Sequence, residues 1–372
     1  MKLFALPTQV HSFDTVREFW REYNIGAGDV VFTHRSVHGL YLKDLGSDCD
    51  ILFYEQFGKG EPTHTLIDTA RCAVGPRGYR RIVAVGGGAV ADTAKFLALA
   101  GSDSTLDLLE KRAPLIKEKT LIIVPTTCGT GSEVTNLAVV AVNEKETKFG
   151  LGGDAFYADH AVLIPELLAH LPYDYFFYSS VDALIHAAES LVSPRSNSYT
   201  ELFSLSALRM ILGGYRHIAE HGRESRRSQL KQLLVASNYA GVAFGNTGVG
   251  AVHALSYPLG GKYRVPHGQA NYQFFLPVFR AYDRIRPKGQ LGVLQQAIAT
   301  SLALTDATQA WSALELLLER LLPLKALREY GMTTEEIDTF TDSVLDRQQR
   351  LLANNYVALT RADIRAIYER RY

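Results

Sequence analysis

Ile82-Val83-Ala84-Val85-Gly86-Gly87-Gly88-Ala89-Val90-Ala91-Asp92 decides the fold. Four β-rich apolar residues run into three glycines, and a helical pattern follows at once. A strand, a glycine turn and a helix in that order let the backbone approach a pyrophosphate and aim helix N-terminal N–H groups at it. The GxGxxG spacing is absent, so the usual dinucleotide fingerprint does not apply, and a tight βα turn that binds nothing is the alternative. On either side lie short runs of the same kind: Val30 to Thr33, Ile51 to Tyr54 and Leu121 to Val124. Each is bounded by Gly, Asp or Pro, as buried parallel strands are. Amphipathic stretches, Thr63 to Val74 and Val90 to Ala100, separate them. The alternation predicts a doubly wound parallel α/β sheet.

A second turn follows the last of these strands, Pro125-Thr126-Thr127-Cys128-Gly129-Thr130-Gly131-Ser132-Glu133-Val134-Thr135. Hydroxyls and glycines at a strand's C-terminal end are where α/β sheets place ligands. Ser132 or Thr130 acting only as a helix cap is the plainer reading of this turn alone. Two polar turns on consecutive strands point to a nucleotide cleft. Cys128 has no base near it in sequence and reads as a small residue packed beside a ligand.

From Tyr173 onward strand-like runs give way to helical patterns: Val181 to Val192, Tyr199 to His221, Ser228 to Phe244, Leu291 to Leu304, Ala307 to Leu321 and Thr334 to Asn354. With Pro165 and Pro172 as a hinge, the expected domains are an α/β dinucleotide-binding domain over 1–171 and an all-helical, metal-binding domain over 172–372. A chain of 372 residues favours two domains over one. Lys and Arg balance Asp and Glu to a net charge of zero, which leaves no footprint for nucleic acid or anionic membrane. Cys49, Cys72 and Cys128 are scattered, against a disulfide framework or a structural zinc site, and a cytoplasmic location is expected. No apolar run is long enough for a membrane span, and the N-terminal one is too short for a signal peptide.

The helical half carries the metal chemistry. Asp182 and His186 stand at i and i+4, one helical face. His253 follows Gly250 in a glycine-rich approach that suits a helix start, and His267 lies between Pro266 and Gly268, flanks that suit a loop tip. The four side chains form an N3O set fit for a divalent transition ion. A single histidine in an apolar helix is more often a satisfied core group. His11, His34, His38, His64, His160, His170, His217 and His221 lack comparable company and are set aside. Glu189 is the rival carboxylate, or a group orienting a ligand histidine through its other nitrogen.

The GGGAVADTAK turn, the PTTCGTGSEVT turn, DALIHAAES and HALSYPLGGKYRVPHG occur in one order, and together they resemble the iron-dependent (group III) alcohol dehydrogenases, over about Val30 to Asn271. The fold this implies is the one shared with dehydroquinate synthase. The resemblance implies a metal on Asp182, His186, His253 and His267. It implies a nicotinamide nucleotide at Gly87, Gly88, Ala89 and Asp92 and at Thr126, Thr127, Thr130 and Thr135, with Lys148 near the cofactor. Ser237 to Gly241 and Gln349 to Tyr356 resemble the branch acting on a short hydroxy acid. Two positions depart from the family. Tyr257 stands where many members carry a proton-relaying histidine; a phenol with an ordinary pKa near 10 is a poor base but can relay or position. After Thr33, where NAD-preferring members often carry Asp, comes His34-Arg35, so NAD is expected and NADP is left open.

The implied reaction is hydride transfer between a primary alcohol and its aldehyde. One carboxylate with three neutral imidazoles leaves a bound divalent ion a net positive charge for alkoxide stabilisation, and Fe2+ is favoured over Zn2+ because it extends beyond four ligands. Should the substrate carry a far carboxylate, Lys262 and Arg264 are its candidate partners, with solvated surface charges as the plain alternative. A small-molecule alcohol or aldehyde and further copies of the chain, as a dimer or larger homo-oligomer, are the expected partners, with Leu3 to Leu6 adding to a partner's sheet. Another short-chain alcohol or diol dehydrogenase of the same family, a dehydroquinate-synthase-like lyase and a non-catalytic binding protein on the same scaffold are the rivals.

Overall fold

The computed structural model describes residues 2–142 and 147–372. They form two compact units, Leu6–Leu171, and Pro172–Tyr372 together with the residues up to Ala5.

The first unit holds a six-stranded sheet in the order β1-β8-β5-β4-β2-β3, every pairing in it parallel. Its strands are β1 (Gln9–Ser12), β2 (Asp29–Thr33), β3 (Asp50–Phe53), β4 (Arg81–Gly86), β5 (Thr120–Pro125) and β8 (His160–Leu163). β6 (Leu137–Val142) and β7 (Thr147–Gly152) pair as a separate antiparallel ribbon. The helices are α1 (Val16–Glu22), α2 (Arg35–Val37), α3 (His64–Val74), α4 (Gly88–Leu97) and α5 (Thr105–Leu109). Val30, Phe32, Ile82, Ala84, Leu121 and Ile123 bury one face of the sheet against α3, α4 and the ribbon. Val31, Val83, Ile122 and Val124, one residue out of phase, are also buried. Burial on both faces is why these strands read as unbroken apolar runs.

The four strands read from sequence are β2, β3, β4 and β5; β1, β8 and the ribbon were not. β1 is a largely exposed edge of four residues with a polar alternation, Gln9-Val10-His11-Ser12, too short to stand out. The register brings the strand ends level. Thr33 pairs with both Val85 and Phe53, and Gly86 with Pro125, so the exits of β2, β3, β4 and β5 share one edge of the sheet.

The second unit is helical: α6 (Tyr173–Val192), α7 (Ser198–His221), α8 (Leu230–Thr247), α9 (Ala251–Tyr263), α10 (His267–Ile285), α11 (Gln290–Ser301), α12 (Ala310–Leu321), α13 (Glu335–Arg347), α14 (Gln349–Leu352) and α15 (Arg361–Arg371). From Ser180 to Val192 every residue of α6 is buried, so this helix is the axle of the unit, packed by α7, α8 and α10. It begins at Tyr173, two turns before the apolar pattern at Val181, because Pro172 serves as its N-cap. The stretch Thr334 to Asn354 is two helices, broken at Gln348.

The N-terminal segment expected to join a partner's sheet is engaged within its own unit. Asn246 accepts from the Ala5 N–H at 2.7 Å and donates to the Ala5 carbonyl at 3.0 Å, and the Asn197 side chain donates to the Leu3 carbonyl at 3.1 Å. Phe4 stacks on Tyr199 and Phe203. Among the described residues no helix is long and apolar enough to cross a membrane.

Candidate functional site

α6 places Asp182, His186 and Glu189 on one buried face, each under 5% exposed: 2%, 4% and 3%. α9 supplies His253 in its first turn, 3% exposed. The ligand atoms of Asp182, His186 and His253 all lie within 4.8 Å of one another, the one such cluster among the described residues. His267 is the first residue of α10, a helix start and not the loop tip its flanks suggest. Its Nε2 lies 3.8 Å from Asp182 Oδ1, and its side chain is 33% exposed, so it is the open side of the set.

The separations test whether an ion fits. His253 Nε2 is 3.1 Å from His186 Nε2 and 3.8 Å from Asp182 Oδ1. Donor atoms about 2.1 Å from a transition ion sit about 3.0–3.5 Å from each other, close to these spacings. The donor chemistry agrees. Glu189 Oε2 lies 2.6 Å from His253 Nδ1, so that nitrogen carries the proton and Nε2 turns a lone pair toward His186. Two imidazole nitrogens facing each other beside a carboxylate need a proton or a cation between them. The residues present fit a divalent transition ion.

The supporting groups have dual duties. Glu189 Oε1 accepts from the Val252 N–H at 2.8 Å, so one carboxylate caps α9 and orients the histidine that α9 carries. Asn271, one turn beyond His267, donates to Asp182 Oδ1 at 2.7 Å and lies 3.1 Å from His267 Nε2. Phe244 stacks on His186 with centroids 4.0 Å apart. A Cβ on Gly268 would fall 2.2 Å from the Tyr178 carbonyl oxygen, so only glycine lets α10 start this close to α6. Burial pushes the Asp182 carboxyl up, but His186, His267, His253 and the Asn271 amide outweigh it and hold it below its ordinary value. Burial likewise pushes the His253 imidazole down, and Glu189 and Asp182 more than reverse that.

Asn271 and Phe244 were missed from sequence. Asn271 was findable, since it stands at i+4 from His267 once that histidine is seen to open a helix. Phe244 carries no signal. Tyr257 is half-buried on α9 with its ring 6.4 Å from that of His267. Lys262 is an exposed partner of Glu336, and Arg264 is an exposed residue in the left-handed region (φ 54°) at the end of α9.

In the first unit the two turns touch. Gly87 is the N-cap of α4, and a Cβ on it would meet the Thr127 side chain at 3.4 Å. A Cβ on Gly88 would come within 2.8 Å of Thr130 Cγ2, and one on Gly86 within 2.5 Å of Val90 Cβ. The Thr126 N–H donates to the Gly86 carbonyl at 3.1 Å. Gly87, Gly88, Ala89, Thr127 and Thr130 are partly exposed along this edge, while Thr126 and Cys128 are buried.

Asp92 and Thr135 face inward. Asp92 accepts from Ser132 Oγ at 2.6 Å and from the Val139 N–H at 2.9 Å. Thr135 Oγ1 takes a hydrogen bond at 3.1 Å from Lys95 Nζ, which also donates to Ser132 Oγ at 2.7 Å and the Leu137 carbonyl at 2.6 Å. Lys148 Nζ is clasped by Glu61 at 2.7 Å.

Residues 21–165 match the family model described as iron-containing alcohol dehydrogenase, and residues 176–372 its C-terminal counterpart, the Fe-containing alcohol dehydrogenase family, C-terminal. A 4-hydroxybutyrate dehydrogenase of Clostridium kluyveri is 48% identical over 372 residues, covering 100% of both chains. A long-chain-alcohol dehydrogenase of Geobacillus thermodenitrificans is 34% identical over 298 residues, 77% of this chain and 74% of that one. Among solved structures, the sulfoacetaldehyde reductase of Bifidobacterium kashiwanohense in complex with NAD+ superposes with a TM-score of 0.85 at 23% identity, covering 99% of this chain and 98% of that one, a likeness of fold.

Proposed function

The chain belongs to the iron-containing alcohol dehydrogenase family, and from that premise we propose that it interconverts 4-hydroxybutyrate and succinate semialdehyde with NAD as the hydride carrier. The observation that carries the reading is the buried convergence of Asp182, His186 and His253, with His267 on the open side. The full-length likeness to the Clostridium kluyveri enzyme supports the substrate.

A divalent ion on this set, Fe2+ before Zn2+, supplies a Lewis acid for the alcohol oxygen, and a nicotinamide supplies the hydride acceptor. The chain's own residues do the rest. Asp182, His186, His253 and His267 would hold the ion, and a single carboxylate among them would leave it a net positive charge. Glu189 keeps the proton on His253 Nδ1, so that Nε2 stays available. Asn271 fixes the Asp182 carboxylate. Phe244 covers one face of the His186 ring. Tyr257, beside His267, positions or relays the hydroxyl proton.

For the nucleotide, backbone N–H groups at Gly87, Gly88 and Ala89 and the hydroxyls of Thr126, Thr127 and Thr130 form the cradle. Asp92 and Thr135 stiffen it from behind, and Lys148, held by Glu61, would lie near a bound cofactor. For the substrate carboxylate, Lys262 already has Glu336, which leaves Arg264 as the candidate.

A panel of 4-hydroxybutyrate, 1-butanol and 1,3-propanediol on iron-reconstituted protein, with NAD and NADP compared, tests the whole reading. NADH formation fastest with 4-hydroxybutyrate and abolished by metal removal is the expected result. Full activity without metal removes the reading, and equal rates on butanol remove the substrate. We place the enzyme in the cytoplasm as a dimer or larger homo-oligomer; a monomer in size-exclusion chromatography overturns that assembly.

A further inference from the structure

We propose that Glu55, reaching from the exit of β3 to the exit of β2, sets this chain's preference for NAD over NADP. The inference rests on the chain binding a dinucleotide at the glycine turn. In doubly wound sheets the adenosine ribose lies over the end of the strand beside the one that carries the glycine turn. An acid there accepts from the 2′-hydroxyl, and an arginine there meets a 2′-phosphate. β4 carries the glycine turn here and β2 is hydrogen-bonded next to it, with Thr33 level with Val85. The exit of β2 reads His34-Arg35-Ser36, with no acid of its own.

The carboxylate arrives from the neighbouring strand. Phe53 of β3 is level with Thr33, so Glu55 follows at the same edge. Its Oε1 lies 3.0 Å from His34 Nδ1, and the Arg35 backbone N–H is shared between Oε1 at 3.3 Å and Oε2 at 3.2 Å. The side chain is still 31% exposed, which leaves acceptor capacity for a ligand. Burial would raise the Glu55 carboxyl, but its own backbone N–H, His34 and the Arg35 N–H outweigh it, so the group is anionic at neutral pH. The Arg35 guanidinium lies over the Phe53 ring, 4.4 Å from its centre, and the His34 imidazole is taken up by Glu55 itself. A fixed anion with a free lone pair accepts a 2′-hydroxyl and repels a 2′-phosphate.

The alternative is that Glu55 only clamps the turn at Arg35. Equilibrium dissociation constants of NAD and NADP for the full chain, its Glu55→Gln variant and its Arg35→Ala variant separate the two. Wild type binding NAD more tightly, with Glu55→Gln narrowing the ratio by about tenfold or more at an unchanged melting temperature, supports the proposal. The narrowing should come mainly from tighter NADP, and Arg35→Ala should leave the ratio in place. A Glu55→Gln ratio equal to wild type while NAD still binds overturns Glu55 alone, as does a wild type that prefers NADP. Failure of wild type to bind either nucleotide removes the dinucleotide reading and this inference with it.

Discussion

The helical unit and the α/β unit build their sites from different materials. In the helical unit the chemistry is in side chains: a carboxylate and imidazoles converge, and Glu189 and Asn271 hold them by their remaining atoms. In the α/β unit it is in the backbone, and the informative residues are those with nothing to contribute. Gly86, Gly87 and Gly88 matter for the space a side chain would take, with Thr127 and Thr130 partly exposed beside them. Asp92, Ser132, Thr135 and Lys95 bond one another and brace the turn. A side-chain site fails by losing an atom, and a backbone site fails by gaining one.

The widest separation between the two should come from Asp182→Ala. Loss of the carboxylate leaves facing imidazoles without a counter-charge, and the Lewis acid they are proposed to hold would be worth several kcal/mol to the reaction. We expect metal content near zero and kcat/KM down by at least about 10³-fold. NAD affinity should stay close to that of wild type, since Asn271, His253 and His267, which Asp182 meets, all belong to the helical unit. Elemental analysis, steady-state kinetics and nucleotide titration read the three quantities. A matching fall in NAD affinity breaks the distinction.

Glycine-to-alanine pairs probe it from the other side. Gly268→Ala drives a methyl to 2.2 Å from the Tyr178 carbonyl oxygen, a backbone atom that cannot swing away. α10 must back off and take His267 with it. A loss of about 10–100-fold in metal affinity is expected, the scale seen when groups supporting a ligand are lost. Gly86→Ala presses on Val90 Cβ at 2.5 Å. It should cost about 1–3 kcal/mol of stability and weaken NAD, with metal affinity intact. Chelator competition and denaturant midpoints on both variants check this; metal lost equally from both would count against it.

Glu189→Gln is gentler. The amide oxygen still accepts from the Val252 N–H, so the α9 cap survives, but the charge that fixes the His253 proton is gone. About tenfold weaker metal binding is expected, more for Glu189→Ala, which loses the cap as well. Equal metal affinity in Glu189→Gln and wild type would reduce Glu189 to a helix cap.

Legibility in the sequence divides along the same line. Asp182 and His186 announce themselves by residue type and helical spacing, and β2, β4 and β5 by apolar runs buried on both faces. β1 stayed hidden because Val10 is its one aliphatic side chain: Gln9 to Ser12 is a strand because His160 to Leu163 lies beside it. Asp92 and Thr135 bond Ser132, the Val139 N–H and Lys95, and that direction is a matter of tertiary packing. Asn271 was hidden by the mistaken loop tip at His267. Glu55 could not be found by looking at the end of β2, since the acid comes from another strand.

The smallest expected effect concerns the bracing of the nucleotide turn. Lys95 is 0% exposed, its ammonium bonded to Ser132, Thr135 and the Leu137 carbonyl. Burial holds it below the ordinary lysine value of 10.5, against the pull of Asp92 and Glu133. Between its folded value and 10.5 the unfolded chain binds a proton that the folded chain has released, so stability from this residue rises with pH across that window. Below both values the burial penalty is constant and contributes no slope. Lys95→Met removes the ammonium and leaves three acceptors short of a donor, a loss of about 1–3 kcal/mol. It should also flatten the alkaline rise, and metal content should not move. Urea midpoints for wild type and variant, at neutral pH and at stepped alkaline values, measure both effects. An unchanged alkaline slope would mean that Lys95 is not the titrating group, and metal loss would mean that the bracing of the α/β unit reaches the helical one.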